Sequence, residues 1–174
     1  MKIYRSMNNF YFNPQLSRIF IFISITGLLS FGYFLQYAKG LEPCPLCITQ
    51  RFFFFLIAGL SIISFIHNPN IFFSRLYNLV GIVFSLFGAG FAVRQLYLQS
   101  LPTDQAPACG PSIEYIFSNF SISEALGILL RGDGNCAEVV WSFLGLSIPA
   151  WSLTAFLFFT FILVLQFFTN KQKR

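Results

Sequence analysis

The chain has 174 residues, of which 56% are hydrophobic and only 10% are charged. So little charge cannot coat a soluble globule of this size, and lipid must solvate much of the surface. The net charge of +5 follows from how basic residues sort among the segments, and it gives a nucleic-acid partner no support.

Four apolar windows, Ile19 to Tyr37, Ile48 to Ile66, Leu76 to Val93 and Pro149 to Phe168, each approach the roughly 20 residues that cross a hydrocarbon core about 30 Å thick. A helix satisfies its backbone polar groups within one segment, which lipid demands. The expected fold is an all-α integral membrane protein, a four-helix transmembrane bundle forming a single membrane domain over residues 1–174. Lys2 and Arg5 ahead of the first window would also suit a signal peptide. However, that window is longer than a signal core, and Ala38, Lys39 and Gly40 offer no small-x-small cleavage site, so the segment is expected to remain as helix one.

The residues outside the windows fall into two sets. Lys2, Arg5, Arg18, Arg75, Lys171, Lys173 and Arg174 form a purely basic set of seven. The other set, between helices one and two (about 38–47) and between helices three and four (about 94–148), holds all six acids, Glu42, Asp104, Glu114, Glu124, Asp133 and Glu138, with Lys39, Arg94 and Arg131 and, just inside the second window on that side, Arg51. The positive-inside rule then places both termini in the cytoplasm and the two acid-bearing loops outside it.

All four cysteines fall on the extracytoplasmic side, which permits disulfides. Two are Cys44 and Cys47, in Cys44-Pro45-Leu46-Cys47, and the others are Cys109 and Cys136 in the long loop. The natural pairing is Cys44 with Cys47 and Cys109 with Cys136, although four cysteines allow three connectivities. A Cys109–Cys136 bridge alone fits a structural staple worth about 3 to 4 kcal/mol. A Cys44–Cys47 bridge closes so small a loop that its value as a staple is low. Zinc is a weaker reading, because Cys109 and Cys136 lack the spacing of a zinc ribbon and the one histidine, His67, lies on the opposite side.

Around the first pair the sequence points to reactivity. Pro45 suits the first turn of helix two, so Cys47 sits where the positive end of the helix dipole favours a thiolate. Arg51, four residues on, shares that face and adds a positive charge. A snorkelling arginine is the bland reading; beside a redox pair, an anionic or electron-rich partner is the sharper one. In the long loop, Pro102, Pro107 and Pro111 surround Cys109, and Gly132-Asp133-Gly134-Asn135 makes a turn before Cys136. Ser121-Ile122-Ser123-Glu124 reads as a capping box opening a short amphipathic helix that Leu126, Leu129 and Leu130 rest on the membrane. An exposed disulfide on such backbone is open to attack by an incoming thiolate.

Cys44-Pro45-Leu46-Cys47-Ile48-Thr49-Gln50-Arg51, the Leu98-Gln99 pair ending helix three, Cys109, Gly134-Asn135-Cys136-Ala137-Glu138 and Trp141-Ser142-Phe143-Leu144-Gly145-Leu146-Ser147-Ile148-Pro149-Ala150-Trp151 together resemble the disulfide bond formation protein B (DsbB) family, from helix one to helix four. The resemblance implies a quinone-dependent dithiol oxidase of the bacterial inner membrane. A reduced periplasmic DsbA-like thiol oxidase would attack the Cys109–Cys136 disulfide, with Cys109 holding the mixed disulfide. Cys136 would then attack Cys44, and the Cys47 thiolate beside Arg51 would make the charge-transfer contact with ubiquinone or menaquinone. Gln50 stands where many relatives have glutamate, and Arg94-Gln95 where arginine and histidine often occur; Gln95 cannot relay a proton as imidazole does. The segment between Pro102 and Cys109 is slightly longer than in relatives. The non-enzyme alternative is a membrane scaffold with structural disulfides or a metal site, whose cysteines do not cycle.

Overall fold

Where backbone groups must find partners within their own segment, each apolar window becomes one uninterrupted helix. The computed structural model describes residues 14–41, 43–102, 115, 118–121, 123, 124, 127, 132 and 134–169. Its long helices are α1 (Pro14–Lys39), α2 (Pro45–His67), α3 (Ile71–Ser100) and α4 (Ile148–Thr169). At 22 to 30 residues each they are about 33 to 45 Å long, enough to cross a bilayer. Each is also apolar enough to do so. Between α3 and α4 come a 3-10 turn (Gly134–Cys136) and a two-stranded antiparallel hairpin, β1 (Ser142–Phe143) with β2 (Leu146–Ser147).

The helices outrun the apolar windows wherever polar side chains find partners. Arg18 is buried inside α1, donating to the Ser64 carbonyl at 3.2 Å and to Ser74 Oγ at 2.6 Å. It thereby ties α1 to the last turn of α2, whose carbonyls carry the negative end of the helix dipole, and to the first turns of α3. Between those two helices Asn68 takes the left-handed conformation, φ 43°, and Pro69 prevents further helix. Arg94 and Gln95, assigned by composition to the long loop, belong instead to α3, which continues to Ser100. That continuation carries Gln95 to the cysteines.

One face of α3 explains how the bundle closes. Ser74, Asn78, Gly81, Ser85, Gly88, Ala92 and Gln95 are all buried and recur at alternating steps of four and three residues. Small side chains at this spacing form a seam along which another helix approaches closely. At Gly88 an added Cβ would lie 2.4 Å from the Phe156 ring of α4, and at Gly81 it would lie 3.0 Å from Leu163. Ser85 Oγ donates to the Phe156 carbonyl at 2.7 Å. Phe156 in turn stacks on Phe54 of α2, centroids 4.0 Å apart. Ile21, Ile25 and Leu29 from α1, Ile57 from α2 and Phe159 and Ile162 from α4 complete the core. By contrast α1 and α4 meet at the Arg18 end, where Gln166 donates to Ser17 and Phe20 lies edge-on to Phe158 at 6.3 Å, and they part toward the cysteines to leave a cleft.

Within the long loop, Glu124 reaches back to the Ser121 amide, one half of a capping box, and also takes the Ser121 hydroxyl. Glu124 Oε2 accepts from the Ser121 amide at 3.1 Å and from its hydroxyl at 2.7 Å, which hold its carboxyl below the usual carboxylate range. Leu126, Leu129 and Leu130, expected to rest this segment on the membrane, lie outside the described residues.

The seam makes a direct prediction. Gly88→Ala should destabilise the protein by about 1 to 3 kcal/mol through overpacking against Phe156. Gly90→Ala should not, because nothing lies within 4 Å of a Cβ there. Thermal unfolding of the two variants in detergent makes the comparison.

Candidate functional site

The site is built on the start of α2. Pro45 occupies the first helical position, and the residue before it, Cys44, is the N-cap, extended at φ −70° and ψ 163°. A cap side chain normally offers oxygen to the amides of the first turn; here Cys44 Sγ accepts from the Cys47 amide at 3.4 Å. Both cysteines are free thiols, and Cys44 Sγ donates to Cys47 Sγ at 2.9 Å. A disulfide needs about 2.05 Å, so joining them requires an approach of roughly 1 Å.

A third sulfur completes the cluster. Cys136, in the 3-10 turn, is fully buried against Cys44, Leu46 and Leu98 and hydrogen-bonds with Cys44. The turn is closed by the Ala137 amide donating to the Gly134 carbonyl at 3.0 Å. Gly132 leads into it with φ +72°, and a Cβ there would come within 2.8 Å of Leu46 and 2.9 Å of Leu98. A glycine is therefore required on both conformational and steric grounds. Hydrogen bonding with Cys136, then with Cys47, and then burial push the Cys44 thiol well above its ordinary pKa.

Two glutamines, Gln50 and Gln95, supply what spacing alone does not reveal. Gln95 of α3 donates through Nε2 to Cys44 Sγ and to Cys47 Sγ, both at 3.1 Å. Its Oε1 accepts from Gln50 Nε2 at 2.7 Å. Both glutamines are buried, and Gln95 Oε1 also accepts from Cys47 Sγ at 3.6 Å. The two positions that depart from the resembled family pattern thus touch each other. Their carboxamides do not titrate, so Gln95 presents N–H to sulfur at every physiological pH.

Arg51 is turned toward α1. It donates to Gln36 Oε1 at 2.6 Å and to the Gly32 carbonyl at 3.3 Å, and its guanidinium carbon lies 4.9 Å from the Tyr33 ring centroid. With Cys47 and Gln50 it lines a cavity of about 630 Å³ bounded by α1, α2, α4 and the hairpin segment. The remaining wall is largely apolar and aromatic, including Phe31, Phe54, Trp141, Phe143 and Trp151. One polar corner in an apolar chamber suits a flat amphiphile with a polar head and a hydrocarbon tail.

Four of the five residues singled out by the sequence are described. Cys44, Cys47 and Cys136 meet as one sulfur cluster, and Arg51 shares the cavity wall with Cys47. Cys109 lies outside the described residues. His67 sits at the far end of α2, its Nδ1 3.0 Å from the Tyr77 hydroxyl.

Two outcomes follow from this geometry. In the reduced protein at neutral pH, iodoacetamide should modify Cys47 before Cys44, because the raised Cys44 pKa keeps that sulfur a thiol; peptide mass spectrometry reads the order. Gly132→Ala should cost more than about 1 kcal/mol of docking at its positive φ. Alkylation of Cys136 under native conditions should therefore accelerate by about tenfold.

Comparison with known proteins agrees with this architecture. The family model for disulfide bond formation protein DsbB matches residues 14–166. The disulfide bond formation protein B of Hahella chejuensis is 52% identical over 139 residues, covering 80% of this chain and 84% of that protein. The protein of the same name from Nitrosococcus oceani is 50% identical over 127 residues, 73% of this chain and 75% of its own length. That of Saccharophagus degradans is 46% identical over 138 residues, 79% and 83%. Similarity of this extent, over four membrane-length helices and the cysteine cluster, places the chain in the DsbB family of disulfide bond formation proteins.

Proposed function

We propose that the protein reoxidises a periplasmic DsbA-like thiol oxidase and delivers the electrons to ubiquinone or menaquinone in the cavity beside Cys47. Its setting is the inner membrane, with both termini cytoplasmic and the α1–α2 and α3–α4 connections on the periplasmic side, in keeping with the seven-to-four division of basic residues. The observation that carries the reading is the alignment of Cys136, Cys44 and Cys47 into a cluster that ends at an apolar cavity. A scaffold has no need of three sulfurs in series, with Cys44 touching both of the others.

In the proposed relay the partner's thiolate attacks the Cys109–Cys136 disulfide at Cys109, forming a mixed disulfide and releasing Cys136 as thiolate. Cys136 then attacks Cys44 of the Cys44–Cys47 disulfide, and Cys47 leaves with the electron pair. The partner's second thiolate resolves the mixed disulfide, so the partner departs oxidised and Cys109 is freed. Cys109 next attacks Cys136 in the Cys44–Cys136 bond, restoring the loop disulfide and leaving Cys44 and Cys47 as the reduced pair. When bound, a quinone supplies an acceptor for two electrons and two protons, which balances the dithiol oxidised.

The chain's own residues favour this direction. Of the pair only Cys47 shares the cavity wall with the Arg51 charge, which favours a thiolate there, while Gln95 N–H donates to either sulfur. Cys44, held as a thiol by its hydrogen bonds, is the poorer leaving group of the pair. Arg51, Gln50 and Gln36 would orient polar oxygens at one corner while the aromatic wall excludes water.

Purified protein in detergent, mixed with a reduced periplasmic dithiol oxidase and a short-chain ubiquinone, should bleach the quinone absorbance. Cys44→Ser and Cys109→Ser should abolish turnover. Arg51→Gln should raise the quinone KM by at least about tenfold, the loss of one charge-assisted contact. Quinone reduction that survives either cysteine substitution contradicts the relay.

A further inference from the structure

The hairpin that walls the cavity has a tip that is poorly suited to water. Its two-residue turn is Leu144-Gly145, with φ 52° and 78°, and Ser142 pairs with Ser147 across the strands. Positive φ at both turn positions is the type I′ geometry, which strongly prefers Asn or Asp followed by Gly. Leucine meets a steric penalty there, and it is 78% exposed. Its neighbours Val139, Val140, Phe143 and Leu146 are exposed as well. An exposed leucine at the tip of an exposed apolar hairpin is unfavourable in water, and its backbone strain, the same in any solvent, shows that turn preference did not select this residue.

The surroundings of the hairpin identify its environment. Phe143 stacks on Trp141, which meets Phe31 of α1 edge-on at 5.8 Å, and Trp151 of α4 donates its indole N–H to the Phe143 carbonyl at 3.2 Å. The hairpin therefore bridges the cleft between α1 and α4, and β2 runs straight into α4 at Ile148. Phe31 and Phe34 of α1 and Leu157 and Phe158 of α4 are exposed along the same two membrane-length helices. The apolar hairpin surface is thus continuous with surface that lipid must cover. Trp151 in the first turn of α4 and Trp141 just before the hairpin are also the residue type that marks a membrane interface. Val140, Trp141 and Phe143 line the cavity from within.

We propose that the Ser142–Ser147 hairpin is inserted in the bilayer, with Leu144 as its lipid-contacting tip. There it forms the lip of a lateral entrance between α1 and α4 through which a lipid-dissolved substrate reaches the cavity. The insertion stands on the hairpin alone. The identity of the traveller as a quinone rests on the function proposed above.

Leu144→Asn separates this role from a structural one, because asparagine suits the left-handed turn better than leucine but partitions poorly into lipid. In proteoliposomes the variant should keep its thermal stability and its thiol exchange with the reduced partner. Its KM for a long-chain quinone carried in the vesicles should rise by at least about fivefold. An unchanged or lowered KM overturns the entrance. Depth is measured separately, with a nitroxide on Leu144→Cys in a chain whose four native cysteines are serine, Phe34→Cys being the lipid-facing control. Insertion predicts collision with oxygen to exceed collision with a water-soluble nickel chelate at residue 144. The reverse order overturns insertion, as does shielding from both probes that grows with protein concentration, which would place a second copy on the hairpin. Because the depth measurement uses no quinone, loss of the quinone reading and loss of the insertion are distinguishable.

Discussion

Cys44 Sγ accepts the Cys47 amide that the first turn of α2 would otherwise leave unpaired, and the rest of the site is arranged around that contact. One atom then serves two purposes. As a cap it fixes where α2 begins, and as a thiol it stands between Cys136 and Cys47 in the path of exchange. Pro45 enforces the geometry by setting the helical φ and restricting Cys44 to extended backbone. The pair is consequently held on the rigid end of a membrane-length helix, while Cys136 approaches from a short turn that Gly132 allows to pack against Leu46 and Leu98. Rigid acceptor and adaptable donor is a sensible division for sulfurs that must exchange partners.

The second constraint is the seam of small residues on α3. Close approach of α4 at Gly81 and Gly88 fixes Phe156 against Phe54 and sets the rotation of α3 about its axis. The same alternating spacing ends at Gln95, so packing in the middle of the bundle aims a carboxamide at the sulfurs. Closing α4 onto α3 leaves α1 paired chiefly with α2, and the resulting cleft between α1 and α4 becomes the cavity. Helix packing and chamber have the same origin.

Most of the architecture was legible because lipid imposes simple rules of length and apolarity. Cys44, Cys47 and Arg51 were legible as well, since a proline-marked helix start and an i, i+4 step need no tertiary information. Gln95 was noticed only as a departure, because its partner Gln50 is 45 residues away in sequence and only folding brings them together. The α3 seam was present as an alternation of four and three, but glycine and serine give no hydropathy signal. The hairpin was hidden for a different reason. Strands of two residues have no readable period, and Leu144 is among the residues least expected at positive φ.

The central claim is that Cys136 and Cys44 are direct exchange partners, and the most direct measurement is the disulfide map of a chain carrying Cys47→Ser and Cys109→Ser together. With Cys109 and Cys47 gone, neither can resolve the bond, and Cys44 and Cys136 can pair within the chain only with each other. Non-reducing peptide mass spectrometry of the oxidised variant should find Cys44 joined to Cys136. Both recovered as free thiols would contradict the account.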